Sequence, residues 1–187
     1  MISAAAPRPF NQQDMDAVLR IWLDASLKAH DFIDAEFWRA NLEPMRNLYI
    51  PASETYVIER ESRVVAFCSL HDEQLAALFV APDFQGMRLG KQLLAHAKTL
   101  RSQLTLGVYK ANVASCAFYR SQGFAVSAEQ IDEQTGQLEY LMTWHAPDAV
   151  NRALGNYGAN IEEAQRVRYP IPSLSRYLMP FILNSTK

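Results

Sequence analysis

Several hallmarks of specialised protein classes are missing from this 187-residue sequence. It has two cysteines, Cys68 and Cys116, without the spacing of metal ligands, so it predicts neither a disulfide framework nor a metal site. The formal net charge of −2 gives no general attraction to nucleic acid or to an anionic membrane. No apolar run reaches the roughly 20 residues of a membrane span, and residues 1–8 are too short and broken for a secretory signal. These absences predict a reduced, cytoplasmic protein without a metal.

The most informative segment is a glycine-containing turn between an apolar run and an amphipathic pattern. Residues 75–80 form the apolar run, and Gly86 and Gly90 mark the turn. The apolar residues that then follow helical spacing are Leu93, Leu94, Ala97 and Leu100, which predicts a helix over residues 86–101. A strand that leads into a helix through such a turn leaves backbone N–H groups at the helix N-terminus, where the helix dipole also favours negative charge. The segment therefore predicts a phosphate-binding site.

Two familiar phosphate-binding motifs do not fit this turn. A P-loop needs four residues between its glycines and a hydroxyl residue after its lysine. Here three residues separate Gly86 from Gly90, and Gln92 follows Lys91. The dinucleotide pattern G-x-G-x-x-G is also absent. An unrelated α/β nucleotide-binding protein stays open as an alternative, without a motif of its own.

The turn resembles motif A of the GNAT acetyltransferase superfamily, Gln/Arg-x-x-Gly-x-Gly/Ala, whose two ends match Gln85 and Gly90. Arg88 occupies the position of the usual first glycine. Because glycine readily takes a positive φ, Arg88 puts one loop amide in question, although its guanidinium can instead reach a phosphate. Strand-like residues 104–109 and residues 112–124 (NVASCAFYRSQGF) resemble motif B of the same family. The two motifs stand in order, separated by one helix, and the resemblance covers roughly residues 3–145.

This resemblance implies the GNAT acyl-CoA N-acyltransferase fold, a mixed α/β architecture with a central sheet of about seven strands flanked by helices. Hydrophobic periodicity gives the same order, β-α-α-β-β-β-α-β-α-β-β. Pro44, inside the predicted second helix (35–49), indicates a kink or an early stop. We expect a GNAT domain at residues 1–145. The C-terminal extension, residues 146–187, with a short helix at 160–168, is expected to pack on that domain or on the partner subunit of a homodimer.

The resemblance also implies how the chain holds acetyl-CoA, the acetyl donor. Leu78 and Val80 would turn backbone N–H groups toward the thioester carbonyl, where two strands splay apart. Asn112 would cap its helix or bond the pantetheine arm. Tyr119 matches the tyrosine that gives a proton to the departing thiolate, which suits a phenol with a reference pKa near 10. The turn residues whose amides would surround the pyrophosphate are Gln85, Gly86, Met87, Arg88, Leu89, Gly90 and Lys91.

The group that removes a proton from the incoming amine is the open point of this interpretation. In some relatives a glutamate on the motif A strand does so, but the matching position is Gln74, which cannot act as a base. The adjacent Glu73 is one candidate, although strand alternation turns it to the other face. The second candidate is His30, between the first two helices, since a histidine near its reference pKa can take a proton at pH 7. His30 as a structural or wall residue is the alternative.

The expected activity is transfer of the acetyl group of acetyl-CoA, by direct attack, to a primary amine. That amine is either a small molecule or a lysine or N-terminus of a protein. Asp31, Asp34 and Glu36 give the acceptor side some negative character, which suits a cationic amine. A GNAT-fold protein that binds acyl-CoA as a sensor, without catalysis, is the alternative, because the base is undefined and Arg88 departs from the motif.

Overall fold

A seven-stranded mixed sheet with helices on both faces forms the part of the chain that the computed structural model describes, residues 6–147. The strands are β1 (Arg8–Pro9), β2 (Glu54–Arg60), β3 (Arg63–His71), β4 (Gln74–Val80), β5 (Gln103–Tyr109), β6 (Ala125–Ile131) and β7 (Leu138–His145). The helices are α1 (Met15–Ala29), α2 (Ala35–Ala40), α3 (Leu42–Pro44), α4 (Leu89–Leu100) and α5 (Val113–Ser121). The sheet order is β1-β2-β3-β4-β5-β7-β6, and among these described strand pairs only β4 and β5 run parallel. The predicted mixed class and element order are confirmed, with α2 and α3 counted as one interrupted helix.

The interruption of the second predicted helix has a clear cause. Helix α2 ends at Ala40, and α3 leads into a π-helical turn, Met45–Tyr49, in which Ile50 N–H bonds the Met45 carbonyl at 3.1 Å. Pro44 has no N–H to donate to a preceding carbonyl, so it cannot continue a regular α-helix. The kink predicted from Pro44 is therefore confirmed.

Apolar side chains fill the space on both faces of the sheet. Because side chains alternate along a strand, Leu78 and Val80 pack on the side of α4 and α5, whereas Phe79 packs on the side of α1 and α2. On this second side Trp22 meets Trp38 edge to face, with ring centroids 5.7 Å apart. We call the two sides the α4/α5 face and the α1/α2 face.

A bulge in β4 interrupts the alternation. Ser69 pairs with Ala77 and Leu70 with Leu75, so that Ala76 has no partner in β3. As a result Ala76 and Ala77 both lie in the core of the α1/α2 face. Two successive small side chains therefore border the space beneath α1 and α2.

The last two strands form the least covered part of the sheet. Strand β6 is the edge strand, bonded to β7, and every one of its residues is exposed. Residues 148–187, which hold nearly all of the expected C-terminal extension and its helix at 160–168, lie outside the described residues. Within residues 6–147, no helix combines the length and apolar character that a bilayer crossing requires.

Candidate active site

The glycine turn joins β4 to α4 through two left-handed residues. Gly86 has φ +79° and Arg88 has φ +61°, so the helix begins at Leu89 and not at residue 86 as predicted from the sequence. The left-handed conformation costs a non-glycine residue about 1–2 kcal/mol. Arg88 thus adopts the backbone geometry that a glycine would take more easily, and the turn forms despite the departure from motif A.

The first turn of α4 directs N–H groups out of the helix without an internal partner. The first intrahelical bond runs from Gln92 N–H to the Arg88 carbonyl (3.1 Å), and no side chain caps the helix. The N–H groups of Leu89, Gly90 and Lys91 precede that bond and have no acceptor within the helix. The arrangement is suited to an anion such as a pyrophosphate.

Strands β4 and β5 are parallel neighbours that diverge. Their register contains one residue pair, Gln74 with Thr105, and Thr105 N–H also bonds the Glu73 carbonyl at 2.9 Å. Toward their carboxyl ends these two strands share no further register pair in the described region, so a gap opens between them. Counting two residues on from the pair places Ala76 and Gly107 opposite each other across this gap.

The hydrogen-bond alternation of β4 determines which of its N–H groups point toward the gap. Ala81 N–H bonds the Val65 carbonyl at 2.8 Å, which marks residues 65 and 81 as a hydrogen-bonded pair of the antiparallel ladder. Alternation then directs the N–H groups of Leu78 and Val80 away from β3. Both therefore point to the β5 side, as the splayed-strand expectation requires. The Gln85 side chain bonds the Val80 carbonyl at the same edge (3.3 Å).

Tyr119 lies under the sheet on the α4/α5 face. Its side chain is fully buried between Phe118 and Phe124, and its hydroxyl has no hydrogen-bond partner within residues 6–147. Burial, with smaller contributions from Cys68 and Cys116, raises the pKa of the Tyr119 phenol. Cys68 is the β3 partner of Leu78, and Tyr119 packs in the same core of the α4/α5 face as Leu78 and Val80.

His30 is buried in an aromatic cluster on the α1/α2 face. It stacks on Trp38 with centroids 5.1 Å apart and meets Tyr109 edge to face at 5.5 Å. Burial lowers the pKa of His30 to about 3, so the expected titration near the reference value does not hold in this environment. Asn112 caps α5 by accepting from Ser115 N–H (3.1 Å), and its amide nitrogen lies 3.4 Å from His30 Nε2. The structure therefore places His30 as a buried, neutral residue beside the N-terminus of α5.

Glu73 lies apart from these groups. It is exposed in the turn before β4, at the end of that strand farthest from the glycine turn. Five residues separate it from Leu78, a span of about 16 Å in an extended strand, which exceeds the reach of its side chain. The structure thus does not bring Glu73 together with Tyr119, and it gives no support to the expectation that Glu73 takes the amine proton.

A narrow cavity opens on the α1/α2 face beside the β4 bulge. Aromatic and aliphatic side chains form most of its wall, and Asn41, Ser69 and Gln134 add polar groups. None of the described residues that line it carries a carboxylate; Asp34 instead caps α2 by accepting from Glu36 N–H at 2.8 Å. The remaining lining residues are Trp22, Phe37, Trp38, Met45, Tyr49, Ile50, Ala76 and Ala77.

Asp132, which the sequence does not single out, is buried next to this region. Its carboxylate accepts from the Tyr109 hydroxyl (3.0 Å) and from the Thr135 N–H (3.1 Å) and hydroxyl, and also from Gln134 N–H (3.3 Å). Four donors hold this carboxylate in place. Asp132 therefore fixes the turn between β6 and β7 and the ring of Tyr109.

Glu139 is a second buried carboxylate that sequence reasoning missed. One of its oxygens accepts from the Gln130 side chain, and the other lies where a side chain at position 107 would begin. A Cβ added to Gly107 would be 2.7 Å from Glu139 Oε2. Burial, followed by the charge of Asp132, raises the pKa of Glu139. Glu139 is the one acidic residue of strand β7 in the sequence, but burial of that face of the strand is not readable from the sequence.

Comparison with known proteins agrees with this geometry. A family model described as an acetyltransferase (GNAT) domain matches residues 51–126. The peptidyl-lysine N-acetyltransferase YiaC of Escherichia coli (strain K12) is 29% identical over 138 residues, which are 73% of this chain and 94% of YiaC. The peptidyl-lysine N-acetyltransferase YjaB of Salmonella typhimurium is 30% identical over 131 residues, 70% of this chain and 90% of YjaB.

The fold is also found among solved structures. The solution structure of apo-form YjaB from Escherichia coli matches with a TM-score of 0.67 at 24% identity, covering 75% of this chain and 97% of that one. The chain matches these sequence relatives over nearly their whole length, and it shares the fold of the solved structure. Both findings support the same family assignment. The chain belongs to the GNAT acetyltransferase family and is an N-acetyltransferase that uses acetyl-CoA as its acetyl donor.

Proposed function

We propose that this enzyme acetylates the side-chain amine of lysine residues in proteins, by direct attack of that amine on the thioester of acetyl-CoA. The observation that carries the proposal is a buried, partnerless hydroxyl, that of Tyr119, beneath a gap whose other side meets an aromatic cavity. The relatives named above, YiaC and YjaB, are peptidyl-lysine N-acetyltransferases. Each part of the reaction then has a candidate group in the chain.

The glycine turn would hold the pyrophosphate of acetyl-CoA. The N–H groups of Leu89, Gly90 and Lys91 lack acceptors within α4, and a phosphate oxygen accepts such bonds well. Gly86 leaves open space in the loop before the helix, since nothing lies within 4 Å of the place that its Cβ would take. The role of the Arg88 guanidinium at a phosphate stays a prediction.

The gap between β4 and β5 would receive the pantetheine arm and the thioester. The N–H groups of Leu78 and Val80 point toward this gap. A fixed backbone donor at the thioester oxygen stabilises the charge that develops there during attack. Because the donors belong to a buried strand, they need no reorganisation when the reaction occurs.

Tyr119 would supply the proton for the departing thiolate. Its hydroxyl stays protonated at neutral pH because burial raises the pKa, and in the described region it has no internal acceptor that would compete for its proton. An unsatisfied buried hydroxyl costs about 1–3 kcal/mol. A hydrogen bond to the cofactor sulfur would remove that cost, which favours a ligand at this position.

The aromatic cavity would take the acceptor side chain. A lysine has a flexible four-carbon apolar stem with a compact charge at its tip, and such stems pack along apolar walls while the charged end finds polar surroundings. The rings of Trp22, Phe37 and Trp38 offer the apolar wall, and the small residues Ala76 and Ala77 border it next to the gap. The cavity thus suits a slender, unbranched side chain.

A panel of three acceptors tests this function. The full-length chain is incubated with acetyl-CoA and either a peptide with one lysine and a blocked N-terminus, the same peptide with norleucine for lysine and a free N-terminus, or spermidine. We expect thiol release, and a mass gain of one acetyl group, with the lysine peptide. Turnover confined to the other acceptors would contradict the lysine assignment, and coenzyme A binding without turnover of any acceptor would favour the sensor alternative.

A further inference from the structure

The base that accepts the amine proton can be sought among buried groups on the α1/α2 face, where the acceptor cavity lies. The buried titratable residues beside this cavity are His30, Tyr49, Tyr109, Asp132 and Glu139. Tyr49 is a phenol, a group whose reference pKa near 10 makes it a poor proton acceptor at neutral pH. His30 is neutral and a weak base because burial lowers its pKa to about 3. The pKa of the Tyr109 phenol is raised by burial, so it does not ionise at neutral pH. This leaves the two carboxylates.

The two carboxylates differ in how their oxygens are occupied. Asp132 accepts hydrogen bonds from Tyr109, Thr135 and Gln134, which hold it in a structural role. Glu139 accepts from Gln130 through Oε1, and no described residue donates to its Oε2. Oε2 of Glu139 is therefore open to contact from a substrate N–H group, whereas donors of the chain already surround the oxygens of Asp132.

The position of Oε2 places it at the junction of the gap and the cavity. Alternation along β5 puts Leu106 and Val108 on the α4/α5 face, so Gly107 turns its missing side chain to the α1/α2 face. Glu139 Oε2 fills the space of that missing side chain. Gly107 in turn lies opposite Ala76, which lines the acceptor cavity.

From this placement, and on the basis of the proposed function, we propose that Glu139 is the general base of the reaction, a catalytic residue carried by β7. Gly107 is then a positioning residue, because any side chain there would displace the carboxylate. Gln130 is a second positioning residue, which holds the opposite oxygen from the edge strand β6.

The proton and bond balance of the step is complete with groups already named. Glu139 takes one proton from the lysine ammonium, and the freed nitrogen lone pair forms the C–N bond to the acetyl carbon. The C–S bond breaks, and the Tyr119 hydroxyl gives its proton to the sulfur. The nitrogen sheds a second proton, which replaces the one lost by Tyr119, so that one proton in total passes from Glu139 to solvent.

Replacement of the carboxylate by an amide gives the kinetic test. Glu139→Gln should lower kcat/KM for the single-lysine peptide by about 100-fold at pH 7, which is the lower range for general-base catalysis. The loss should shrink as the pH rises toward about 10.4, where lysine is deprotonated by solvent. A purely structural role predicts a pH-independent loss, and that result, or no loss at all, would overturn the proposal.

Two further variants make the pH dependence specific. In the wild type, activity should fall as the pH drops through the raised pKa of Glu139, because the protonated acid cannot accept a proton. Gln130→Leu removes a donor that stabilises the carboxylate, so the acid limb should move to higher pH. Glu129→Gln, at an exposed carboxylate on β6 that is paired with Lys110 (3.0 Å), is the matched control and should leave the profile unchanged.

A measurement without an acceptor separates this inference from the proposed function. The side-chain carboxyl of Glu139 can be titrated by ¹³C NMR in the full chain with coenzyme A bound, with Glu139→Gln used for assignment. The titratable neighbours are Asp132 and Tyr109, and the Lys110–Glu129 pair lies beside Tyr140 on the other face. A midpoint above about 4.3 is expected, and a midpoint at or below it would overturn the role of Glu139 even if lysine peptides are acetylated. Failure to acetylate lysine peptides, with the midpoint raised, would count against the acceptor class alone.

Discussion

In the proposed mechanism, the two sides of the gap between β4 and β5 would recognise their ligands through different parts of the chain. On the cofactor side the groups are main-chain amides from one continuous segment, from Leu78 to Lys91. On the acceptor side they include side chains from α1, α2, β3, β4, the π-helical turn and the turn after β6, together with Glu139 on β7. Main-chain recognition depends on backbone shape and tolerates sequence change, whereas side-chain recognition depends on each residue.

Arg88 illustrates the tolerance of the cofactor side. It stands where the family motif has glycine, yet its φ of +61° provides the same turn. Gly107 and Glu139 illustrate the opposite dependence, since a single added methyl at position 107 would collide with the carboxylate. We therefore expect substitutions in the glycine turn to change cofactor binding, and substitutions on the acceptor side to change the chemical step.

The largest expected effect is on cofactor affinity and tests the main-chain side. Gly86→Asp adds a negative charge to the glycine turn, where like-charge contact with a phosphate costs several kcal/mol, so the Kd of coenzyme A should rise by about 100-fold. Gly136→Asp is the matched control. Both glycines have positive φ, +79° and +70°, and open space around the added Cβ, so the backbone strain is comparable. Isothermal titration should show near-normal affinity for the control; an equal loss in both variants would point to strain in place of charge.

The next effect concerns the group beneath the gap. Tyr119→Phe should lower kcat by about 100-fold through loss of the general acid, while coenzyme A affinity stays within about twofold. Its melting temperature should not fall, because the hydroxyl that is removed has no partner among the described residues and its burial is costly. Tyr140→Phe, outside the gap, serves as the control. Single-turnover rates that match wild type would remove Tyr119 from the mechanism.

The smallest expected effect tests whether His30 is a buried, neutral residue or a group that accepts a proton. The pKa of His30 is about 3 in the folded chain and about 6.5 in the unfolded chain. The unfolded state therefore binds the extra proton, so stability is full above pH 6.5 and decreases as the pH falls toward 3. Between pH 6.5 and 4.5 this group should cost about 2 kcal/mol, and His30→Gln should lack that component in urea unfolding. If the free energy of unfolding changed with pH equally in the wild type and in the variant, the buried, neutral state of His30 would be contradicted.

Much of the cofactor side is readable from the sequence because its signals are local. The apolar run, the glycines and the helical spacing of residues 75–100 lie next to each other in the chain, and the strand–turn–helix follows from them. The helix start is wrong by three residues, since αL geometry at Arg88 is not a sequence preference of arginine. The orientation of the Leu78 and Val80 N–H groups follows only from the strand register.

The acceptor side was less readable because its chemistry depends on burial and long-range contact. The low pKa of His30 comes from its burial. Two of its aromatic neighbours are near in sequence, and a third, Tyr109, is on β5. Glu73 and Glu139 are equally acidic as residue types, and only the sheet shows that the first is exposed and the second buried. Acidic residues predicted to face the amine, such as Asp34, cap a helix instead.

Strand β6 is bonded along one side, to β7, and each of its residues is open to solvent. A strand held in this way frays more readily than the centre of a sheet. Gln130 belongs to this strand, so its hydrogen bond to Glu139 persists only while β6 stays paired with β7. A molecule that stabilises or loosens the β6–β7 strand pair would therefore change the pKa of Glu139 from a binding place that lies away from both substrates.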